Sequence, residues 1–140
     1  MTDQWNVVLA GGGTGGHIIP ALAVADRIRA AGGNVHFVGT RGRIEEKLVP
    51  PAGYPIAFIK VRPLTGGGLL QKGMGVASAP LSVAKSAILL RRLRPDVVMG
   101  VGGYVAGPVV LAARLLGLPT AFLEQNATVA LAVAHSGYIM

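Results

Sequence analysis

Two short apolar runs, each stopping on a cluster of glycines and each leading into a helix-like stretch, constrain this chain most. Trp5-Asn6-Val7-Val8-Leu9-Ala10 runs into Gly11-Gly12-Gly13-Thr14-Gly15-Gly16-His17. Asp96-Val97-Val98-Met99-Gly100-Val101 runs into Gly102-Gly103-Tyr104-Val105-Ala106-Gly107-Pro108. Near-continuous apolar runs rich in β-branched residues are the mark of strands covered on both faces, which belong to parallel sheets. Glycines at the ends of such strands stand where ligands bind in sheets of this kind.

The stretches between complete an alternating pattern. Pro20 fits the first turn of a helix whose Leu22, Ala25 and Ile28 recur on one face and whose pattern ends at Gly32-Gly33. Asn34 to Gly39 reads as a second strand, Arg43 to Val49 as a short helix stopped by Pro50-Pro51, and Ile56 to Ile59 as a third strand. A glycine-rich loop is expected around Thr65 to Gly75, then a helix opened by Pro80 and running to about Leu93, before Pro95. After the strand at 96–101, a helix is expected from Pro108 to Leu116, capped at Gly117, and a last strand from Thr120 to Leu123. Strands alternating with helices predict an α/β fold: a Rossmann-like parallel sheet with helices on both faces.

A chain of 140 residues with 51% hydrophobic and 14% charged content has the material for one domain with a real core. The absence of cysteine excludes a disulfide scaffold and thiolate chemistry. The first strand follows Met1-Thr2-Asp3-Gln4 directly, without a signal-peptide pattern, so a cytoplasmic protein is expected. The most apolar long window, Val105 to Leu123, carries Arg114 and is interrupted by Gly107-Pro108 and Gly117-Leu118-Pro119, which suits a helix and a strand rather than a spanning helix. The net charge of +7 is concentrated between Lys47 and Pro95, with eight basic residues and no acid. Such an excess suits an anionic partner, whether nucleic acid, an anionic membrane or a phosphorylated substrate.

The first loop matches the Gly-x-Gly-x-x-Gly spacing at Gly11, Gly13 and Gly16, a pattern shared by many phosphate binders because it brings backbone N–H groups to an anion at the positive end of a helix. A tight turn with no ligand satisfies the same spacing. An NAD site also needs an acid at the end of the second strand, and there the chain reads Gly39-Thr40-Arg41. Arg41 and Arg43 leave an NADP-binding oxidoreductase as an alternative. The second glycine cluster repeats the device, so two loops together can cradle a diphosphate; a close-packed corner, with Tyr104 filling the core, is the plainer reading. His17, where loop meets helix, is either a base or a hydrogen-bonded structural group, and a helix N-terminus favours the neutral imidazole that a base requires. Thr14 can donate to a phosphate or cap the helix. His36, inside a strand, and His135, in the tail, have weaker claims.

Read in order, Ala10 to Ala23, Gly39-Thr40, Leu48-Val49-Pro50, Pro95 to Pro108 and Glu124-Gln125-Asn126 closely resemble the MurG family, the peptidoglycan N-acetylglucosaminyltransferases of glycosyltransferase family 28. The resemblance covers residues 5 to about 126. It implies the N-terminal half of a GT-B fold, with the whole chain as one acceptor-binding domain and no nucleotide-sugar domain. The implied reaction is inverting transfer of N-acetylglucosamine from UDP-GlcNAc to lipid I, the undecaprenyl-diphosphate-linked muramoyl-pentapeptide, giving lipid II, with no metal and no cofactor. UDP-GlcNAc would bind through the C-terminal domain, so this chain alone is expected to be inactive. His17 and Glu124 become the catalytic candidates, and Gly13, Thr14, Gly15, Gly16, Gly102, Gly103, Tyr104 and Asn126 the substrate-binding ones.

The resemblance also gives the basic stretch a partner. Leu81, Val83, Ala84, Ile88, Leu89 and Leu90 are too many for one narrow stripe, and Lys85, Arg91, Arg92 and Arg94 sit beside them. Such a segment can lie on an anionic bilayer, with Leu81, Lys85, Ile88, Arg91 and Arg92 as the contact residues; a core helix with a solvated basic end is the alternative. A peripheral position on the inner face of the cell membrane follows, with no role for nucleic acid. Beyond Asn126 the tail, Ala127 to Met140, departs from the family pattern. A non-catalytic peripheral membrane or binding module of the same fold is the rival reading.

Overall fold

A computed structural model describes residues 4–60 and 69–123, with side chains of residues 69–79 outside the description. Five strands, β1 (Asn6–Gly11), β2 (Asn34–Gly39), β3 (Ile56–Phe58), β4 (Val97–Gly102) and β5 (Thr120–Phe122), alternate with helices α1 (Gly15–Ala30), α2 (Ile44–Leu48), α3 (Leu69–Leu93) and α4 (Ala106–Leu115). A single 3-10 turn, Pro50–Ala52, follows α2. All pairings are parallel, in the order β3-β2-β1-β4-β5. The expected Rossmann-like sheet is observed.

Successive side chains of a strand point to opposite faces, and the core divides accordingly. Val7 and Leu9 join Val35, Phe37, Met99 and Val101 beneath Ile18, Ala21 and Ala25 of α1. Val8 and Ala10 join Val38 and Val98 beneath Leu89 and Leu90 of α3 and Val109, Val110, Ala112 and Ala113 of α4. Both faces are therefore covered, which explains why the strand sequences are apolar without alternation.

Two expectations are corrected. α1 begins at Gly15, so Pro20 stands inside the helix rather than in its first turn. α3 begins at Leu69 and takes in Gly73, Gly75 and Pro80, where a loop as far as Gly75 and a helix opened by Pro80 were expected. Local propensity reads glycine and proline as breaks, yet the helix continues through Pro80 into the stretch whose Leu89 and Leu90 pack on the sheet face beside α4.

Chain order and sheet order together position the site. From β1 the chain moves outward to β2 and β3, then crosses back to place β4 on the other side of β1. The carboxyl ends of β1 and β4 thus flank the point where the winding reverses, the place at which open α/β sheets bind ligands. Both glycine clusters leave the sheet there.

Candidate functional site

The β1 and β4 pairing shifts register at its carboxyl end, between Ala10 and Gly11, and the two loops lean on each other beyond it. The Gly12 N–H donates to the Gly102 carbonyl at 3.0 Å. Gly103 has φ +91°, and a Cβ there would lie 2.4 Å from the Gly12 carbonyl oxygen. That close backbone approach is what its glycine is for. Gly102 is held open by a side chain: a Cβ there would come within 2.6 Å of the His17 ring and 2.8 Å of its Nε2. His17 therefore lies across the gap between the loops, partly exposed, with its Nε2 edge toward the β4 loop.

Thr14 is the N-cap of α1, but its side chain makes no capping bond. Its Oγ1 lies 3.2 Å from His17 Nδ1, which is also 3.2 Å from the Gly12 carbonyl oxygen. His17 is thus tied to its own loop through one ring nitrogen. The His17 N–H donates to the Thr14 carbonyl at 3.1 Å, and Gly15 and Gly16 stand in the first turn of α1, at the positive end of its dipole.

Gly15 and Gly16 differ from the glycines below them. A Cβ at Gly15 would meet nothing closer than 3.6 Å, one at Gly16 nothing closer than 3.7 Å, and neither has a positive φ. A Cβ at Gly107, in the first turn of α4, would meet nothing within 4 Å. Nothing inside the fold calls for glycine at these three positions, which stand in the first turns of the helices that follow the two loops.

One buried carboxylate underpins the loop. Glu45 of α2 is 1% exposed, and its Oε2 accepts the Gly13 N–H at 2.8 Å while Oε1 accepts the Thr40 N–H at 2.9 Å. It fills the space beside Gly12 and Gly39, where a Cβ would lie 2.4 and 2.6 Å from its side-chain atoms. Sequence reasoning missed Glu45, which it placed only within a short helix. The available signal was its position four residues before the fully buried Val49, an acid on the apolar face of α2.

Of the predicted substrate-binding residues, the structure gathers Gly13, Thr14, Gly15, Gly16, Gly102, Gly103 and Tyr104 with His17 at one end of the sheet. Tyr104 is 50% exposed, so it does not fill the core. Glu124 and Asn126, the tail 127–140 and residues 65–68 of the expected loop lie outside the described residues. Arg41 pairs with Glu46 at 3.6 Å and stacks over the Phe58 ring at 4.4 Å, while Arg43 is exposed. His36 lies in a cavity of about 380 Å³ lined by Asn6, Arg29, Asn34 and Tyr54, at the amino ends of β1 and β2, and burial lowers its pKa. That cavity is at the far end of the sheet from both loops. On α3, Leu81, Lys85, Ile88, Arg91 and Arg92 are all exposed, while Leu89 and Leu90 are buried. Among the described residues, no helix is long and apolar enough to cross a membrane.

The glycosyltransferase family 28 N-terminal domain model matches residues 7–137. The chain belongs to this glycosyltransferase family. A Tolumonas auensis relative, named UDP-N-acetylglucosamine--N-acetylmuramyl-(pentapeptide) pyrophosphoryl-undecaprenol N-acetylglucosamine transferase, is 49% identical over 125 residues, covering 89% of this chain and 35% of the relative. A relative of the same name from Anaeromyxobacter sp. (strain Fw109-5) is 50% identical over 123 residues, 86% of this chain and 32% of its own. The crystal structure of Acinetobacter baumannii MurG superposes with a TM-score of 0.76 at 37% identity, over 88% of this chain and 36% of that one. The calicheamicin glycosyltransferase CalG4, at 16% identity and a TM-score of 0.62 over 98% of this chain and 38% of its own, shares the fold. The chain spans about a third of the length of the curated relatives it matches. Membership of family 28 replaces the NADP-binding oxidoreductase alternative. The Gly13 N–H, at a predicted substrate-binding residue, is already taken by Glu45 and is not a donor to a ligand in this structure.

Proposed function

We propose that this chain is the acceptor-binding part of an inverting N-acetylglucosaminyltransferase of peptidoglycan synthesis, taking the lipid-linked diphosphate of lipid I between its two glycine loops. The observation that carries this reading is the set Gly15, Gly16 and Gly107: glycines with ordinary backbone and no neighbour to exclude a side chain, at two helix starts either side of the strand-order reversal. Room without an internal cause, beside N–H groups at the positive ends of helices, suits an anion brought close to the backbone.

His17 is then placed to serve as base toward the acceptor hydroxyl, and Thr14 and Tyr104 to contact the acceptor. Glu124 and Asn126 keep the roles that the family resemblance implies. UDP-GlcNAc binds in the part of the longer relatives outside the span matched here, and transfer needs both parts. The exposed face of α3 supports peripheral membrane attachment: Leu81 and Ile88 are 58% and 68% exposed beside Lys85, Arg91 and Arg92, an apolar and cationic surface suited to anionic headgroups.

The test is direct binding of lipid I in detergent micelles to the 140-residue chain without a donor domain. Saturable binding, competed by undecaprenyl diphosphate but not by NADPH, is expected. Binding to empty micelles alone would overturn the assignment.

A further inference from the structure

Glu45 and His17 do not touch, but one peptide unit lies between them. The N–H of the Gly12–Gly13 peptide is held by Glu45 Oε2 at 2.8 Å, and the carbonyl of the same unit lies 3.2 Å from His17 Nδ1. Among the described residues there are no cis peptide bonds, so this N–H and C=O point in opposite directions. Fixing one end therefore aims the other. We propose that Glu45 is a positioning residue that acts on His17 through this peptide, fixing the imidazole with its proton on Nδ1 and leaving Nε2 as the proton acceptor at the mouth of the site.

The chemistry of the partners sets the direction. A carbonyl oxygen only accepts, so the Gly12 contact requires a proton on Nδ1, whereas the Thr14 hydroxyl, at the same nitrogen, either donates or accepts. A neutral imidazole protonated at Nδ1 has its lone pair on Nε2. That atom faces the β4 loop, where only the glycine at 102 leaves room for the ring. In carboxylate–histidine pairs the acid holds the ring directly; here the acid is buried one peptide away, and the polarised N–H and C=O carry its influence. Glu45 also anchors the Thr40 N–H, so the loops after β1 and β2 are braced by one side chain. The purpose of the arrangement rests on His17 being the base of the proposed reaction, but the tautomer itself does not.

The experiment uses the ¹⁵N-labelled 140-residue chain and reads the His17 ring nitrogens by NMR at about pH 8, where an unperturbed imidazole is neutral. The unaltered chain is expected to show Nδ1 protonated and Nε2 bare. Glu45→Met removes both acceptors and is expected to lower the Nδ1–H excess at least about fivefold, the population equivalent of one ordinary hydrogen bond, and to speed exchange of the Gly13 amide. Glu45→Gln keeps one carbonyl oxygen, and its tautomer is expected to follow the protection of the Gly13 amide: retained where the amide stays protected, lost where it does not. His36 serves as the internal control, unchanged throughout. An Nε2–H tautomer in the unaltered chain overturns the proposal, and that measurement decides the matter even where the methionine variant fails to fold. So does a folded variant with an exposed Gly13 amide and an unaltered His17. Lipid I binding is scored separately: its loss with the expected tautomer would sink the acceptor reading and leave the relay standing.

Discussion

The division of glycines into those the fold needs and those it does not predicts opposite consequences for the same chemical change. Gly103→Ala places a Cβ 2.4 Å from the Gly12 carbonyl oxygen and 3.2 Å from the Gly12 carbonyl carbon and nitrogen, at φ +91°. Backbone cannot step aside as a side chain can. Left-handed strain costs about 1–2 kcal/mol and overpacking about 1–3, together ~2–5 kcal/mol. For a domain of this size that is a fall in Tm of roughly 6–20 °C. Gly16→Ala adds a methyl group with no neighbour closer than 3.7 Å, in the first turn of α1. Helix propensity then favours alanine by up to ~1 kcal/mol, so Tm should hold or rise by a few degrees. In the proposed acceptor site the methyl group would occupy the space through which the diphosphate approaches the backbone, and lipid I affinity should fall at least about tenfold, ~1.4 kcal/mol. Thermal unfolding of the two variants beside lipid I titrations separates the effects. A Gly16→Ala chain as destabilised as Gly103→Ala would refute the steric reasoning. A stable Gly16→Ala chain with unchanged affinity would refute the site.

His17→Ala in a full-length enzyme carrying this domain should lower kcat by about 10²–10⁴, the usual worth of a positioned base, with lipid I affinity changed much less; unchanged turnover would remove His17 from the mechanism. Sedimentation with anionic vesicles should fall when Lys85, Arg91 and Arg92 are changed together to Glu, and should weaken in high salt; binding indifferent to both would count against the α3 face. Tyr54 donates to Asp26 beneath the Arg29 guanidinium, 4.4 Å from its ring, and burial together with that hydrogen bond pushes its pKa up to about 12. Tyr54→Phe should cost about 1 kcal/mol in urea unfolding, since Asp26 is largely exposed, and a neutral result would mean solvent replaces the bond fully. Burial lowers the His36 pKa, so the unfolded chain binds the proton more readily and stability should fall as pH drops below about 6.5; His36→Gln should flatten that part of the pH profile.

How much of this was legible in the sequence depended on how local each cause is. A strand buried on both faces leaves its signature in its own residues, so β1, β2 and β4 were recovered nearly to the residue from apolar runs and terminal glycines. The beginning of α3 was not, because Gly73, Gly75 and Pro80 are local signals for a break, and a helix runs through them all the same. The same contrast holds at the site. Gly-x-Gly-x-x-Gly announces a loop, but the spacing is identical whether a glycine is there for a neighbouring carbonyl, as at Gly11 beside the Gly102 oxygen, or for space, as at Gly16.

Glu45 marks the far end of that scale. Its two partners, Gly13 and Thr40, belong to loops after different strands, and only the parallel pairing of β1 with β2 brings them to one carboxylate. A dinucleotide fingerprint is judged by an acid at the end of the second strand that would hold a ribose. Here the acid comes slightly later, on α2, and turns inward to hold the loop itself. An acid facing a ligand discriminates among ligands; one facing the protein sets the shape of the loop. The glycine motif and the carboxylate that governs it thus form one device, and the half that faces inward is visible only once the strands are paired.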